Sequence, residues 1–391
     1  MRSAPYGAFE IDEYKPRFAR ARAVLAENDL SACLMMAPEH LFYFGGYDSW
    51  VAVNSPQALI FTPGNDEPTL ILRDVDLSLA RESAWVGDIR TYSLVADDFP
   101  ALTRSILREK GVDGGSVGIE TQSYAVPAAL GMAISSAIHP LDVIDATYLL
   151  GRLRLIKSPA ELAYMEQAAK YVNAGLQILG KSIRPGITEI ALAAEVEATV
   201  RRAGSDYPAI PTELSSGDRS AGGHATPRAR LIEDGDIVHA EFAGVAARYH
   251  VTGLQTLSCG EPSSRAKELY DLALESLRAG IAACRVGVPV AAVEEASLEP
   301  LRAQGLEHAA MMRFGYGIGI AYPPIWLETL QIARGFDDRL ASGMAFVLHS
   351  CIELPDENLG VIQGGTYVLG KDDLHMLAGA GDCALDIRSL L

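Results

Sequence analysis

The sequence predicts two domains, an α/β domain followed by an α+β domain. Its 391 residues exceed what one hydrophobic core usually accommodates. Short helical and strand-like segments alternate through about residue 150, which is typical of an α/β layer. Beyond that point, long helices are grouped with long strands of antiparallel type, which indicates an α+β arrangement. We therefore assign residues 1–155 to the first domain and residues 156–391 to the second.

The first domain opens with an amphipathic segment at residues 12–29, which predicts a helix. A short apolar run at 31–37 predicts a buried strand, and Gly45 and Gly46 within the segment 40–47 indicate a turn. The remaining candidates follow in alternation: strands at 57–63 and 69–74, a helix at 98–111 and a strand at 116–120.

The second domain opens with a clear helix start. Ser158 is a capping residue, Pro159 stands at the first helical position, and Glu161 places an acid in the first turn. Thr188, after a Pro-Gly turn, predicts the cap of a second helix. The later segments are a β-rich stretch at 206–260, helices at 263–287 and 289–305, and mostly strands and loops from 311.

Composition excludes several function classes. The net charge of −17 argues against nucleic acid, since phosphate binding requires clustered Lys and Arg. No apolar run is long enough to span a membrane, and the N-terminal segment lacks the apolar core of a secretory signal. Five scattered cysteines without a CxxC pair favour a reducing cytoplasm over a disulfide framework. They are Cys33, Cys259, Cys284, Cys351 and Cys383.

The stretch from 206 to 256 contains most of the candidate chemistry. After a turn at 234–236, alternation predicts a strand in which Val238, Ala240 and Phe242 form an apolar face. Glu241 then lies on the opposite face. A partner strand from Tyr249 runs back and brings Thr252 near Glu241.

Three histidines are candidates for proton transfer near neutral pH. His224 lies in a glycine-rich loop, and His250 and His349 lie on strand-like segments. An isolated glutamate on a strand is usually solvated, and strand histidines are often satisfied core residues. The residues alone therefore indicate only a two-domain, enzyme-like chain.

The order of motifs resembles the creatinase/aminopeptidase P family over nearly the whole sequence. KSPAE precedes a long helix, and the segments 215–256, FGYGIGIAYPP and 342–366 follow in that order. YFGGYDSW resembles an N-terminal segment of the same family. This resemblance implies a creatinase-type α/β domain and, in residues 156–391, a catalytic domain with the pita-bread fold.

The family's metallopeptidases hold two metal ions with two Asp, one His and two Glu. In this sequence those positions fall on Glu241, Thr252, Tyr316, His349 and Gly364. One carboxylate cannot hold a dinuclear pair, because each divalent metal needs several O or N donors. We expect no metal and no other cofactor. A mononuclear site of Glu241, His250 and His349 is the alternative.

The metal-free branches of the family are closer. His224 matches the catalytic histidine of creatinase, and the glutamate of HAEFAG with the tyrosine of GYGIGIAYPPIWLE resembles the ectoine hydrolase branch. YDSW, DYPAI and RYH match that branch as well. The segments GGHATP, VLHSCIE and GVIQGGT depart from the family pattern, which bears on the substrate more than on the fold.

The resemblance implies metal-independent hydrolysis of a C–N bond in a small amidine, guanidine or cyclic amide. Glu241 would pair with the amidinium or attack its carbon, and His224 would act as base and then acid. His250 or His349 could replace His224, and Tyr316 could donate to the developing anion. The substrate-binding candidates are Tyr47, Trp50, Thr252, Tyr322, Trp326 and Glu328.

Three alternatives stay open. The same acid–base groups would serve a metal-free lyase or cyclase acting on a small amino-acid derivative. The fold also permits an Xaa-Pro aminopeptidase-like metallopeptidase or a non-catalytic binding module. We expect a cytoplasmic homodimer that takes a small cationic or zwitterionic substrate and binds neither nucleic acid nor membrane.

Overall fold

The computed structural model describes residues 3–64 and 66–379. The chain divides into two compact units, Met1–Arg154 and Leu155–Leu391, which we call the N-terminal and C-terminal units. The predicted fold class is confirmed, since an α/β unit precedes an α+β unit. Cys383 lies outside the described residues, and the other four cysteines are buried, unpaired thiols.

In the N-terminal unit, six described strands form one sheet in the order β4-β3-β2-β1-β5-β6. The β1–β2 and β2–β3 pairs are antiparallel and the other pairs are parallel, as an α/β layer with helical crossovers requires. The elements are α1 Ile11–Glu27, β1 Leu30–Met35, α2 Pro38–Gly45, β2 Ala58–Phe61, β3 Thr69–Arg73, α3 Leu77–Ser83, β4 Asp88–Tyr92, α4 Phe99–Glu109, β5 Ser116–Ile119, α5 Ala128–Ile138, β6 Asp142–Asp145 and α6 Thr147–Arg152.

The segment after β1 forms a short helix where the sequence indicated a turn. Pro38 stands at the helix start, and Gly46 ends it with a φ of 71°, a conformation that favours glycine. The predicted turn is therefore only the C-terminal cap of α2. The predicted helix at 12–29 and strand at 31–37 are confirmed within two residues at their ends.

In the C-terminal unit, the described strands form one antiparallel sheet in the order β11-β10-β12-β13-β9-β8-β7, with β14 beside β13. The elements are α7 Pro159–Ser182, α8 Glu189–Arg202, β7 Glu213–Ser216, β8 Ile237–Ala246, β9 Tyr249–Ser258, α9 Ser264–Ala283, α10 Val290–Ala303, β10 Gly315–Tyr322, β11 Ile325–Ile332, β12 Ala345–Leu354, β13 Leu359–Leu369 and β14 Leu374–Gly379.

Both predicted helix caps are confirmed. The Ser158 hydroxyl accepts a hydrogen bond from the Glu161 N–H, and the Glu161 carboxylate accepts one from the Ser158 N–H. This reciprocal capping box satisfies two donors that the start of α7 would otherwise leave unpaired. Thr188 caps α8 through the N–H of Ala191.

The helices cover one face of the large sheet. Phe242 of β8 packs against α7 at Gly175, where a Cβ would lie 2.5 Å from the Phe242 ring. Farther along the sheet, Ile352 of β12 is buried with Leu269 of α9 in one core cluster. Because side chains alternate along a strand, the neighbours Glu241 and Cys351 lie on the opposite face. That face carries the candidate site.

None of the helices within residues 3–64 and 66–379 combines the length and the apolar character that a membrane span requires.

Candidate active site

A cavity of about 290 Å³ lies on the face of the large sheet opposite the one that packs against α7 and α9. Polar side chains reach it from several strands and from two loops. Five residues singled out in the sequence line it together: His224, Glu241, Tyr316, Trp326 and His349. The other lining residues are Ile210, Glu213, Met311, Met312, Arg313 and Leu327.

Three of these residues form a hydrogen-bond chain. The Tyr316 hydroxyl donates to Oε1 of Glu241 at 2.8 Å, and the Trp326 indole N–H donates to the Tyr316 oxygen at 3.1 Å. Trp326 is 2% exposed, so burial fixes the chain at its far end. Glu241 is thereby held in one orientation at the cavity, with its second oxygen available to a substrate.

Burial changes the protonation of this chain. Burial raises the pKa of Glu241 to about 7, although the hydrogen bond from Tyr316 acts in the opposite direction. Burial and the adjacent Glu241 carboxylate raise the pKa of the Tyr316 hydroxyl well above its usual value. Tyr316 therefore remains a hydrogen-bond donor at neutral pH. Glu241 changes its charge at a pH close to neutral.

Glu213 is a site residue that the sequence analysis missed. It lies directly across from Glu241 in the β7–β8 pair, is 8% exposed and lines the same cavity. Burial and the neighbouring Glu241 charge raise the pKa of Glu213 to about 8. The sequence offered little signal, since Glu213 begins a strand of only four residues, which is too short for alternation to identify.

The two cavity histidines differ in exposure. His349 is 5% exposed, its ring lies 5.8 Å from that of Tyr316, and its Nδ1 has no hydrogen-bond partner among the described residues. Burial, with the charges of Arg313 and His224, lowers the pKa of His349 to about 4, so it is neutral at pH 7. His224 is exposed in the loop that follows a short 3-10 helix at Gly217–Arg219. This arrangement gives the cavity one buried neutral acceptor and one exposed histidine.

The structure does not place His250 in the cavity. His250 is buried, its Nε2 accepts from the Ala209 N–H at 2.9 Å, and its Nδ1 lies 2.8 Å from the Arg248 carbonyl oxygen. Both ring nitrogens are therefore engaged with the backbone. The geometry does not support the assignment of His250 as an acid–base group, and its ring instead packs near Trp326.

Thr252 and Tyr322 lie next to the site but outside the lining. The Thr252 N–H donates to the Thr366 hydroxyl at 2.9 Å, and the Thr252 hydroxyl is hydrogen-bonded with Tyr316. Thr252 thus helps to position the Tyr316 hydroxyl. Tyr322 is buried, with the Arg248 guanidinium over its ring at 5.4 Å. Neither side chain lines the cavity.

Glu328 belongs to a buried ion pair. The Lys157 Nζ lies 2.7 Å from the Glu328 carboxylate, and both side chains are almost fully buried. Gly319 makes room for the pair, because a Cβ there would lie 2.6 Å from Glu328 and 3.0 Å from Lys157. The glycines of GYGIG therefore accommodate this pair, and Glu328 is not among the cavity-lining residues.

Tyr47 and Trp50 lie in the N-terminal unit. Tyr47 is buried and accepts a hydrogen bond from the Gln57 amide at 3.1 Å, whereas Trp50 is 54% exposed. Burial raises the pKa of Tyr47 to about 12. Their assignment to substrate binding stays a prediction.

The five positions that hold metals in the family's metallopeptidases do not fit a dinuclear centre in this chain. A Cβ at Gly364 would overlap the Leu348 carbonyl oxygen and lie 2.7 Å from the His349 Cα, so no ligand side chain is accommodated there. Tyr316 occupies the position of the family's histidine, and its hydroxyl donates a hydrogen bond to Glu241. Among the described residues, no group of three His, Cys, Asp or Glu side chains could hold a metal ion. The mononuclear alternative fails as well, since His250 is engaged with the backbone.

One buried carboxylate organises the loop that carries His224. Glu189, at the start of α8, accepts hydrogen bonds from the Ser216 N–H at 2.9 Å and from its hydroxyl at 2.7 Å. It also accepts from the Arg228 N–H at 2.9 Å and pairs with Arg219. The two ends of the loop, residues 216 and 228, are thus bound to one side chain.

We expect Glu189→Gln to lower stability by about 2 kcal/mol, because the amide cannot accept all of these charge-assisted bonds. We also expect kcat to fall about tenfold through misplacement of His224, with the pH–rate profile unchanged. Urea denaturation and steady-state kinetics test this. An unchanged kcat with the expected loss of stability would show that the loop position does not matter for turnover.

We expect Tyr316→Phe to lower kcat about 100-fold, because a preorganised donor at the reacting group is lost. The hydrogen bond from Tyr316 lowers the pKa of Glu241, so its removal should move the acid limb of the pH–rate profile upward. Tyr322→Phe is the matched control, since it removes a buried hydroxyl from the same strand but outside the cavity. Equal losses in both variants would contradict this role.

Two sequence families match this chain. Residues 163–371 match Metallopeptidase family M24, and residues 17–156 match the Creatinase/Prolidase N-terminal domain. The first match covers more than half of the chain. Together the two matches leave few of its residues outside a known family.

Individual proteins are similar over nearly their whole length. Ectoine hydrolase of Halomonas elongata is 28% identical, over 86% of this chain and 88% of that protein. An uncharacterized hydrolase/peptidase of Sinorhizobium fredii, y4tM, is 27% identical, over 91% of this chain and 93% of that protein. The solved structure of dipeptidase PepE from Mycobacterium ulcerans is 25% identical with a TM-score of 0.84, covering 97% and 100% of the two chains.

Proposed function

The chain belongs to metallopeptidase family M24, and we propose that it is a metal-independent hydrolase of a C–N bond in a small amidine, guanidine or cyclic amide. Its place among the hydrolases rests on the family and its relatives. The finer proposal rests on one observation: Glu241, oriented by Tyr316, faces a small cavity whose surrounding residues do not supply the metal ligands of the family.

The proposed substrate fits the charge of the cavity. An amidinium is planar and cationic, and its N–H groups can pair with a carboxylate through charge-assisted hydrogen bonds. Its carbon is already electrophilic, so the reaction depends less on a Lewis acid than peptide hydrolysis does. Glu241 provides the carboxylate. The similarity to an ectoine hydrolase supports this substrate class, whereas the similarity to dipeptidases supports a peptide substrate.

In the proposed reaction, Glu241 binds the amidinium edge and His224 removes a proton from the attacking water. A C–O bond forms at the amidinium carbon, and a C–N bond breaks. The proton held by His224 passes to the leaving nitrogen, so the net change is the addition of one water molecule. His349, which is neutral and buried with a free Nδ1 among the described residues, would accept a substrate N–H.

Mass spectrometry of reaction mixtures tests this proposal. The purified protein is incubated with ectoine, creatine and Xaa-Pro dipeptides, each with EDTA and with added Mn²⁺, Co²⁺ or Zn²⁺. In the presence of EDTA, we expect ectoine, in which the cleaved bond lies in a ring, to give one product heavier by one water. Creatine, which is acyclic, should give two products whose masses sum to creatine plus one water. Loss of a neutral fragment without water would indicate the lyase or cyclase alternative. Metal-dependent dipeptide cleavage would replace the proposal with a metallopeptidase activity.

We also propose a cytoplasmic homodimer in which Tyr47 and Trp50 contribute to substrate binding. Light scattering of the purified protein measures the mass directly. A monomer with full activity would contradict this part of the proposal without affecting the chemistry of Glu241.

A further inference from the structure

The reaction proposed above uses Glu241 but leaves its neighbour Glu213 without a role. The two residues face each other across β7 and β8, where directly opposed side chains lie about 5 Å apart at their Cβ atoms. No hydrogen bond to the Glu213 carboxyl is present within residues 3–64 and 66–379. A carboxyl group that is buried, unbonded and beside another carboxyl destabilises the fold, since burying a charge costs energy unless it is paired.

The cavity also carries charge of the opposite sign at a different place. Arg313 lies just before β10, is exposed and lines the same cavity as the two carboxyls. Its guanidinium is hydrogen-bonded to the side chain of Gln331, which keeps it on the β10–β11 side, away from β7. Acidic and basic groups therefore stand at separate positions around one small space.

We propose that Glu213 is a second cation-binding carboxyl of the site and that Arg313 binds a carboxylate of the same substrate. This inference rests on the proposed function and specifies its substrate as a zwitterion. Glu241 and Glu213 would each pair with a different N–H edge of the cationic group, which replaces the missing partner of Glu213. Arg313 would bind the anionic end through its planar guanidinium.

The volume of the cavity limits the occupant. At about 290 Å³, it is at the lower end of the range of small-molecule sites. Met311, Met312 and Leu327 supply apolar contacts around the charged groups. The site thus suits a compact molecule with charges at both ends rather than an extended peptide.

A matched pair of probes tests the two roles separately. Guanidinoacetate carries a guanidinium and a carboxylate, and ethylguanidine carries only the guanidinium. Both are titrated calorimetrically, in EDTA, into the wild-type protein, Glu213→Gln, Arg313→Gln and Glu275→Gln. Glu275 is exposed on α9, so its variant controls for the chemical change alone. Thermal unfolding of every variant checks the fold.

We expect the wild-type protein to bind guanidinoacetate about tenfold more tightly than ethylguanidine. Glu213→Gln should weaken both probes by about tenfold, and Arg313→Gln should weaken only guanidinoacetate, so that its preference disappears. The proposal is overturned if the wild-type protein binds neither probe or shows no preference, if Glu213→Gln leaves both affinities unchanged, or if Arg313→Gln affects both equally. The wild-type comparison and Arg313→Gln decide the matter even if Glu213→Gln does not fold.

The binding result is separate from the reaction. Binding that follows this pattern without any gain of water would overturn the proposed hydrolysis and leave the charge assignment in place. Hydrolysis of an amidine, combined with unchanged binding of both probes by Glu213→Gln, would support the proposed hydrolysis and overturn the charge assignment.

Discussion

Replacing Glu241 by glutamine should lower kcat for the proposed C–N hydrolysis by at least about 1,000-fold, because the amide cannot provide the anionic partner of the amidinium. The change keeps the shape of the side chain, and the Tyr316 hydroxyl can still donate to the amide oxygen. The wild-type kcat/KM should rise with pH through about 7, as Glu241 loses its proton in the free enzyme. Steady-state kinetics across this range measure both effects.

The same variant should not be less stable than the wild-type protein. The pKa of Glu241 is raised in the folded state, so its favourable contribution is present at low pH and is lost as pH rises toward about 7. Above that pH the wild-type protein has a buried charge that Glu241→Gln lacks. We expect the variant to unfold at a higher urea concentration at alkaline pH, with the difference vanishing in acid. Turnover comparable to that of Glu275→Gln would refute the catalytic assignment.

Lys157→Met should lower the free energy of unfolding by about 3–5 kcal/mol, because it removes the Lys157 ammonium from the buried Glu328 carboxylate. The effect should appear in denaturation of the C-terminal unit, to which both residues belong. Chemical denaturation followed by tryptophan fluorescence is suitable, since Trp326 lies on the same strand as Glu328.

The double variant Lys157→Met/Glu328→Gln provides the control. With both charges removed, most of the lost stability should return, since the penalty arises from the buried Glu328 charge that has lost Lys157 and not from the absent contact. If the double variant is as unstable as Lys157→Met, the ion pair is not the cause of the loss.

The fold was largely predictable because its signals are local. The capping residues Ser158 and Thr188 and the alternation around Glu241 depend only on neighbouring positions, and the structure confirms them. α2 was not predicted, because its glycines mark only its end. The resemblance of ordered motifs supplied the pita-bread architecture, which periodicity alone does not specify.

The site was predictable in part. Glu241, Tyr316, His349, His224 and Trp326 share one cavity, and the motif order had indicated all five. Glu213 was missed because its importance comes from strand pairing, which brings it opposite Glu241 from 28 residues away in sequence. His250 and Glu328 were included because their partners, the Ala209 N–H and Lys157, are also distant in sequence. Contacts of this kind arise only from the folded chain.

Gly364 limits any attempt to install the family's metal centre in this chain. Its Cα lies so close to the backbone of β12 that any side chain would displace Leu348 and His349. Introducing the family's ligands at the other four positions would not open position 364 to a side chain. A glutamate at position 364 would disrupt the pairing of β12 and β13 before it could bind a metal ion. A metal ligand at this position would therefore require the backbones of β12 and β13 to move apart first, so single substitutions at the other positions cannot complete the family's metal centre.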